Sequence, residues 1–334
     1  AAGPFTALGS TRTRFGDLAG CATSKFVQKT GGADCASLGG CVALIPSTPL
    51  AGDFCIAVLD SAVYSEQVTV AGKNHNGFRI RLWGAGGTRP TVTPPGGSSA
   101  GFRLLTASVS VSDINVVTTN TVTYGVLASS ASVSLSSMII DSGGRISGAG
   151  VFLSSWGVVQ NASVTVQNAD GFRLTGTGNT VSASSASVTV FGRAAYYLGT
   201  ASSNTISDSY GSGNPGYGAF LYHSHGNTFA RTTLRKLSAA AGGAGLYLND
   251  ASSNTVTGCF ISNAGGPGAD LSSSVNYNLI ELSTITAAGN VYTALELGFA
   301  KGNRISRVYV HSDNGSGSTL SSGASETLVE NSTF

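Results

Sequence analysis

The sequence predicts an all-β chain wound as a parallel β-helix of roughly a dozen coils. Two features carry that prediction: a repeat of about two dozen residues and a composition poor in helix formers. From residue 170 onward a single Asn recurs ahead of a short strand-like element, as Asn179-Thr-Val, Asn204-Thr-Ile, Asn227-Thr-Phe, Asn254-Thr-Val, Asn278-Leu-Ile and Asn303-Arg-Ile. The intervals are 25, 23, 27, 24 and 25 residues. The residue two places after each Asn is apolar: Val181, Ile206, Phe229, Val256, Ile280 and Ile305. Gly, Ser, Thr, Val and Asn dominate, with a single Met and little Glu or Lys to fill helix surfaces.

Each coil should hold two or three short strands joined by Gly/Ser/Asn turns. A second apolar element precedes each Asn, read here as Phe172/Leu174, Tyr196/Leu198, Phe220/Tyr222, Leu246/Leu248, Asp270/Leu271 and Leu295/Leu297. Before residue 170 the alternation persists without the Asn, in Ala-Ser-Val-Ser-Val (107–111), Ala-Ser-Val-Ser-Leu (131–135) and Ala-Ser-Val-Thr-Val (162–166). These are period-two patterns with apolar residues inward and Ser or Thr outward. One coil cannot bury its own apolar side chains, but coils stacked about 4.8 Å apart line a common interior. Residues one repeat apart then lie above one another. The Asn column (Asn179, Asn204, Asn227, Asn254, Asn278, Asn303) is expected to hydrogen-bond from coil to coil, a structural role that needs no ligand.

Composition also excludes function classes. The formal net charge is +2 and only 10 % of residues are charged, so neither a nucleic-acid surface nor an anionic-membrane binder is indicated. No apolar run approaches 18 residues, so no membrane-spanning helix is expected. Four of the five cysteines, Cys21, Cys35, Cys41 and Cys55, lie in the first 55 residues, separated by 13, 5 and 13 residues. That even cluster reads as two disulfides, with three connectivities left open, and lacks the close Cys pairs of a zinc ribbon. Cys259 reads as a buried thiol. Disulfides imply an extracellular or cell-surface protein, any export signal having been removed.

Residues 50–70 end in Tyr64-Ser-Glu66-Gln-Val68-Thr-Val70 and are followed by Gly77-Phe-Arg-Ile-Arg-Leu-Trp-Gly. This stretch resembles the opening coil of right-handed parallel β-helix proteins of the pectin-lyase-like superfamily, and the later Asn-Thr-Ile coils are similar to its repeats. The resemblance covers roughly residues 45–334 and implies a right-handed β-helix domain there. Residues 1–44 are expected to form a disulfide-pinned cap over the N-terminal end of the solenoid.

Chemistry is sparse. Members of that superfamily that cleave uronic-acid polymers carry clustered charge, with Asp or Glu holding calcium and an Arg or Lys base, or several Asp beside Gly-His-Gly and Arg-Ile-Lys. Those strings are absent here. Between 101 and 230 the charged residues are Arg103, Asp113, Asp141, Arg145, Asp170, Arg173, Arg193 and Asp208, and they offer no carboxylate pair in register. No cofactor and no metal site is indicated. One cluster stands out, Tyr222-His-Ser-His-Gly-Asn227. His223 lies four places before Asn227 and Asp250 four before Asn254, so the two should be neighbours on successive coils and form a candidate general-base pair. The alternative is a solvated turn in which His223 only hydrogen-bonds Asp250. The same register pairs Asp208 with Arg231 on the surface. Trp83, Trp156 and the tyrosines, scattered through the chain, read as packing or single exposed aromatics, with sugar-stacking faces as the alternative.

Two functional expectations follow. The first is a non-catalytic structural rod at the cell surface that self-associates through its solenoid ends. The second is a protein that binds or degrades a neutral or weakly charged polysaccharide. A rod should show flat walls, whereas a polysaccharide protein should gather side chains larger than Ser on one face.

Overall fold

The computed structural model describes residues 18, 20–85, 87, 89–129, 132–240, 242–288, 292–320 and 323–334, and within them the chain is a β-solenoid. Strands fall into three parallel sheets of 13, 11 and 11 strands, each coil contributing one strand to each sheet in turn. One coil runs through Thr205–Ser207 in the first sheet, Tyr210–Gly213 in the second and Tyr217–Tyr222 in the third, then re-enters the first sheet at Thr228–Ala230. Pairing is parallel throughout, so Val181, Ile206, Phe229, Val256, Ile280 and Ile305 form one continuous buried column.

Burial selects the residues. Alternating side chains fill one long core of Val, Ile, Leu and Ala, with Phe102, Phe172, Tyr196 and Phe229 as its largest members, and a small second cluster forms around Cys55, Ala57 and Trp83. Phe172 and Tyr196 stack at 5.4 Å, and the Tyr196 hydroxyl donates to the carbonyls of Ser184 and Tyr210. Gly211 makes room for that ring: a Cβ there would lie 2.7 Å from it.

The register around residue 220 differs from the sequence expectation by one position. Ala219 and Leu221 point inward, while Phe220 and Tyr222 face outward. Ala219 stacks on Tyr196, whose ring already fills the core at that level, so a small residue fits there and the bulky neighbour turns out. Likewise Ala269 and Leu271 are buried and Asp270 lies on the outside of the strand. A shift of one residue flips a strand's faces, so both corrections matter below.

The Asn column is buried and fully bonded. In each step the backbone N–H and Nδ2 of one Asn donate to Oδ1 of the next, as in Asn204 to Asn227 at 3.0 and 2.9 Å and Asn227 to Asn254 at 2.8 and 3.0 Å. Each Nδ2 also reaches back to a carbonyl of the preceding coil, such as Asn227 to Ala201 at 3.2 Å. Asn carries a donor and an acceptor on one short planar group, which Ser or Asp does not offer. A second column at the next corner uses hydroxyls: Ser184 N–H donates to Ser209 Oγ and Cys259 N–H to Ser283 Oγ. Cys259 occupies a position of that hydroxyl column, and burial pushes its thiol up to about 11.

The N-terminal segment joins the same stack. Strand Cys21–Val27 pairs with Asp53–Val58 as the edge of the first sheet, and the disulfides are Cys21–Cys55 and Cys35–Cys41. The short helix Leu38–Ala43 is capped by Ser37 Oγ, and Glu66 accepts from the N–H groups of Leu38 and Gly39. The Glu of the opening motif therefore holds the start of that helix.

Asn227→Ala is expected to lower stability by about 2–3 kcal/mol, because it orphans the buried N–H of Asn204 and removes three further bonds. A urea titration checks this; an unchanged midpoint would contradict the structural role of the column.

Candidate functional site

Parallel stacking turns any outward position that repeats once per coil into a line of side chains. On the third sheet that line reads Phe152, Arg173, Tyr197, Phe220, Tyr247, Asp270, Glu296 and Thr319, each pairing in register with the next. All but the last are half-buried. The aromatic stretch is continuous: Tyr197–Phe220 at 5.6 Å edge to face, Phe220–Tyr247 at 4.9 Å stacked, and Tyr217 against Phe220 and Tyr247 at 5.2 and 5.5 Å. At one end the Arg173 guanidinium sits 5.0 Å above the Tyr197 ring. Beside it Asp170 is buried between Arg193 and Arg173 and accepts from the N–H of Ala194; burial raises its carboxyl despite the two cations.

At the other end the rings meet two carboxylates on successive coils. Asp270 Oδ1 is shut off from solvent and has no hydrogen-bond partner. Burial, reinforced by the charge of Glu296, raises the Asp270 carboxyl to about 6. Burial also raises the nearby Tyr217 hydroxyl, with Tyr247 and Asp270 adding to it. Tyr247 Oη accepts from Asn249 Nδ2 at 2.9 Å, which fixes the ring beside Asp270. One carboxyl thus keeps its proton to about pH 6, next to a second acid and against an aromatic surface. A buried acid whose carboxyl is raised to about 6 beside a second acid suits acid–base chemistry.

His223 and Asp250 come together at the rim of this ladder, in the turn that follows the third sheet. His223 Nδ1 lies 2.6 Å from Asp250 Oδ2, and the imidazole packs 3.9 Å from the Tyr222 ring. Both residues sit at positive φ, 48° and 47°, on successive coils of one turn column that also holds Thr200. Both side chains are more than two-fifths exposed. His225 points elsewhere, with Nδ1 accepting from the N–H of Ser252. Among the described residues no three His, Cys, Asp or Glu side chains cluster as a metal site would require. Asp208 and Arg231 form a two-pronged ion pair at 2.6 and 2.8 Å on the surface. The six Asn of the column lie in the wall, away from solvent.

The tryptophans are not part of the ladder. Trp83 is buried beside the Cys21–Cys55 disulfide. Trp156 is exposed and its ring lies over Gly178, at the edge of a hollow of about 390 Å³ on the first sheet lined mainly by Ser, Val and Arg79. The sequence reading missed the ladder, although a signal existed. Tyr197, Phe220, Tyr247 and Glu296 each lie seven residues before an Asn of the column. Asp270 lies eight before, because the turn Ser273-Ser274 carries an extra residue, both serines at φ 62°.

Residues 194–334 match a family model described as a right handed beta helix region. No curated protein matches the sequence. Similar solved structures include the catalytic domain of a GH87 alpha-1,3-glucanase in complex with nigerose, at 10 % identity and TM-score 0.49, covering 83 % of this chain and 60 % of that one. The chain thus spans about 60 % of that domain's length. The Azotobacter vinelandii mannuronan C-5 epimerase AlgE4 A-module is similar at 13 % identity and TM-score 0.49, covering 91 % of this chain and 99 % of that module. Tailspike protein 3 of bacteriophage CBA120 is similar at 13 % identity and TM-score 0.41, covering 83 % and 56 %.

Folding is expected to take up a proton at Asp270 between about pH 4 and 6, since its carboxyl holds the proton more tightly folded than unfolded. Stability therefore falls as pH rises through that window. The fall should exceed that of Asp270→Asn by roughly 2–3 kcal/mol, the free energy separating 3.8 from about 6. Denaturation series on both proteins test this; parallel profiles would contradict it. Glu296→Gln should lower the Asp270 titration midpoint seen by NMR, while burial keeps it above the ordinary carboxylate range.

Proposed function

We infer that this chain, a right-handed parallel β-helix, binds a neutral or weakly charged polysaccharide along the outward face of its third sheet and cleaves it at Asp270 and Glu296. The observation that carries this reading is the unbroken run of Tyr197, Phe220, Tyr247 and Tyr217 rings leading to a buried carboxyl raised to about 6. Aromatic faces suit the apolar faces of sugar rings, which a row of Ser and Thr cannot match. The two acids at the end of the row would repel a polyuronate, which favours an uncharged chain.

In the cleavage step, protonated Asp270 gives its proton to the glycosidic oxygen as the bond from that oxygen to C1 breaks. Glu296, its register partner on the next coil about 4.8 Å away, bonds to C1 as the glycosidic oxygen leaves; Asp270 then takes a proton from a water whose oxygen displaces Glu296 from C1. His223 and Asp250 lie at the rim and orient Tyr222 rather than react. The expectation of a non-catalytic rod that stacks end to end calls for flat walls, and a file of half-buried rings argues against ranking it first. Of the expected capping segment 1–44, residues 1–17 and 19 lie outside the described residues; strand Cys21–Val27 and helix Leu38–Ala43 serve as the N-terminal cap, and the two disulfides fit an extracellular setting.

Purified protein incubated with a panel of neutral glucans, mannans and xylans should bind one class and release reducing ends. Asp270→Asn should cut release by about a hundredfold or more while leaving binding within a few-fold. Tyr247→Ala should weaken binding roughly tenfold. The rate should fall as pH rises through about 6, as Asp270 loses its proton. Binding without release would defeat the acid–base roles, and no binding to any neutral polymer would defeat the whole reading.

A further inference from the structure

A different sheet carries a second aromatic pattern. On the outward face of the second sheet the register column runs Tyr210, Thr233, Phe260, Thr284 and Tyr309. An aromatic side chain thus stands on every second coil, with Thr between. The three rings are 37 %, 39 % and 48 % exposed, so each presents a face to solvent. Coils rise about 4.8 Å, which sets successive rings roughly 9.6 Å apart along the solenoid axis. The neighbouring outward column holds Ser262 and Thr286 between Arg235 and His311. Arg235 Nε donates to Ser262 Oγ and keeps its charge, and His311 lies against Asp313, whereas the ring column itself carries no charged side chain.

We propose that Tyr210, Phe260 and Tyr309 form a second carbohydrate-binding surface, which lays the solenoid along an extended, neutral β-1,4-linked polysaccharide. Consecutive sugars of such a chain are turned over relative to one another, so equivalent ring faces recur once per disaccharide. That repeat is close to two coils, and rings on alternate coils therefore meet equivalent sugars without bending the chain. Thr233 and Thr284 fill the intervening coils with short hydroxyls, which leave space for the sugars facing the other way and can hydrogen-bond their hydroxyl groups. The uncharged ring column is the complement of an uncharged polymer. The ladder on the third sheet has a ring on each successive coil from Tyr197 to Tyr247, so it grips a chain differently. This second surface stands independently of cleavage at Asp270.

The test is depletion of the purified protein by insoluble cellulose and by insoluble chitin, with folding checked by circular dichroism. The wild type should bind one of them. Phe260→Ala with Tyr309→Ala should weaken that binding by about tenfold. A second variant, Phe260→Thr with Thr284→Phe, keeps three aromatic residues but breaks their spacing, and should bind as weakly as the double alanine variant. Phe299→Ala, which removes an exposed ring in a turn outside both aromatic columns, should retain full binding to the insoluble polymer, which ties the loss to this surface. Failure of the wild type to bind either polymer, or full binding by the spacing variant, would overturn the proposal whatever the outcome for soluble substrates.

Discussion

Everything in this molecule depends on stacking one coil on the next. A coil of about two dozen residues has a strip of apolar side chains on its inside and nothing of its own to cover them. Its corners also turn backbone N–H groups toward the interior, where water cannot reach them. The Asn column resolves both problems at one position. Each amide accepts from the N–H below and donates to the coils on either side, so the corner is bonded only when neighbours are present and in register. The Ser column at the next corner repeats the device with hydroxyls.

That constraint is also what assembles a site from residues far apart in sequence. Tyr197, Phe220, Tyr247, Asp270 and Glu296 share no local motif; they meet because each occupies the same place in its coil. Once aligned, they change one another. The rings around Asp270 exclude water from its carboxyl, and Glu296 adds a like charge, so the acid keeps its proton to about 6. The same side chain on a Ser-lined wall would remain open to water and ionise at its ordinary value. Sheet register thus tunes chemistry as well as position.

The period, the inward column and the Asn bonding positions were legible because they depend on spacing alone. The His223–Asp250 contact was legible for the same reason, both residues being four places from an Asn with no insertion between. The aromatic ladder was obscured by two local effects. Around residue 220 the apolar Phe220 and Tyr222 imitate an inward pair, while the true inward residues are Ala219 and Leu221, a choice set by the Tyr196 ring filling the core one coil away. Around residue 270 an extra serine in the turn moves Asp270 out of the common count. Which residue absorbs an insertion is decided by packing in three dimensions, and a single sequence does not contain it.

The claim that matters most is that sugar rings lie on the third-sheet ladder with the scissile oxygen at Asp270. A crystal structure of Asp270→Asn soaked with a neutral oligosaccharide of the bound class tests it most directly. The account requires rings stacked on Phe220 and Tyr247 and a glycosidic oxygen within hydrogen-bonding distance of residue 270. A saccharide bound away from the third sheet, or one crossing it without approaching residue 270, would contradict it.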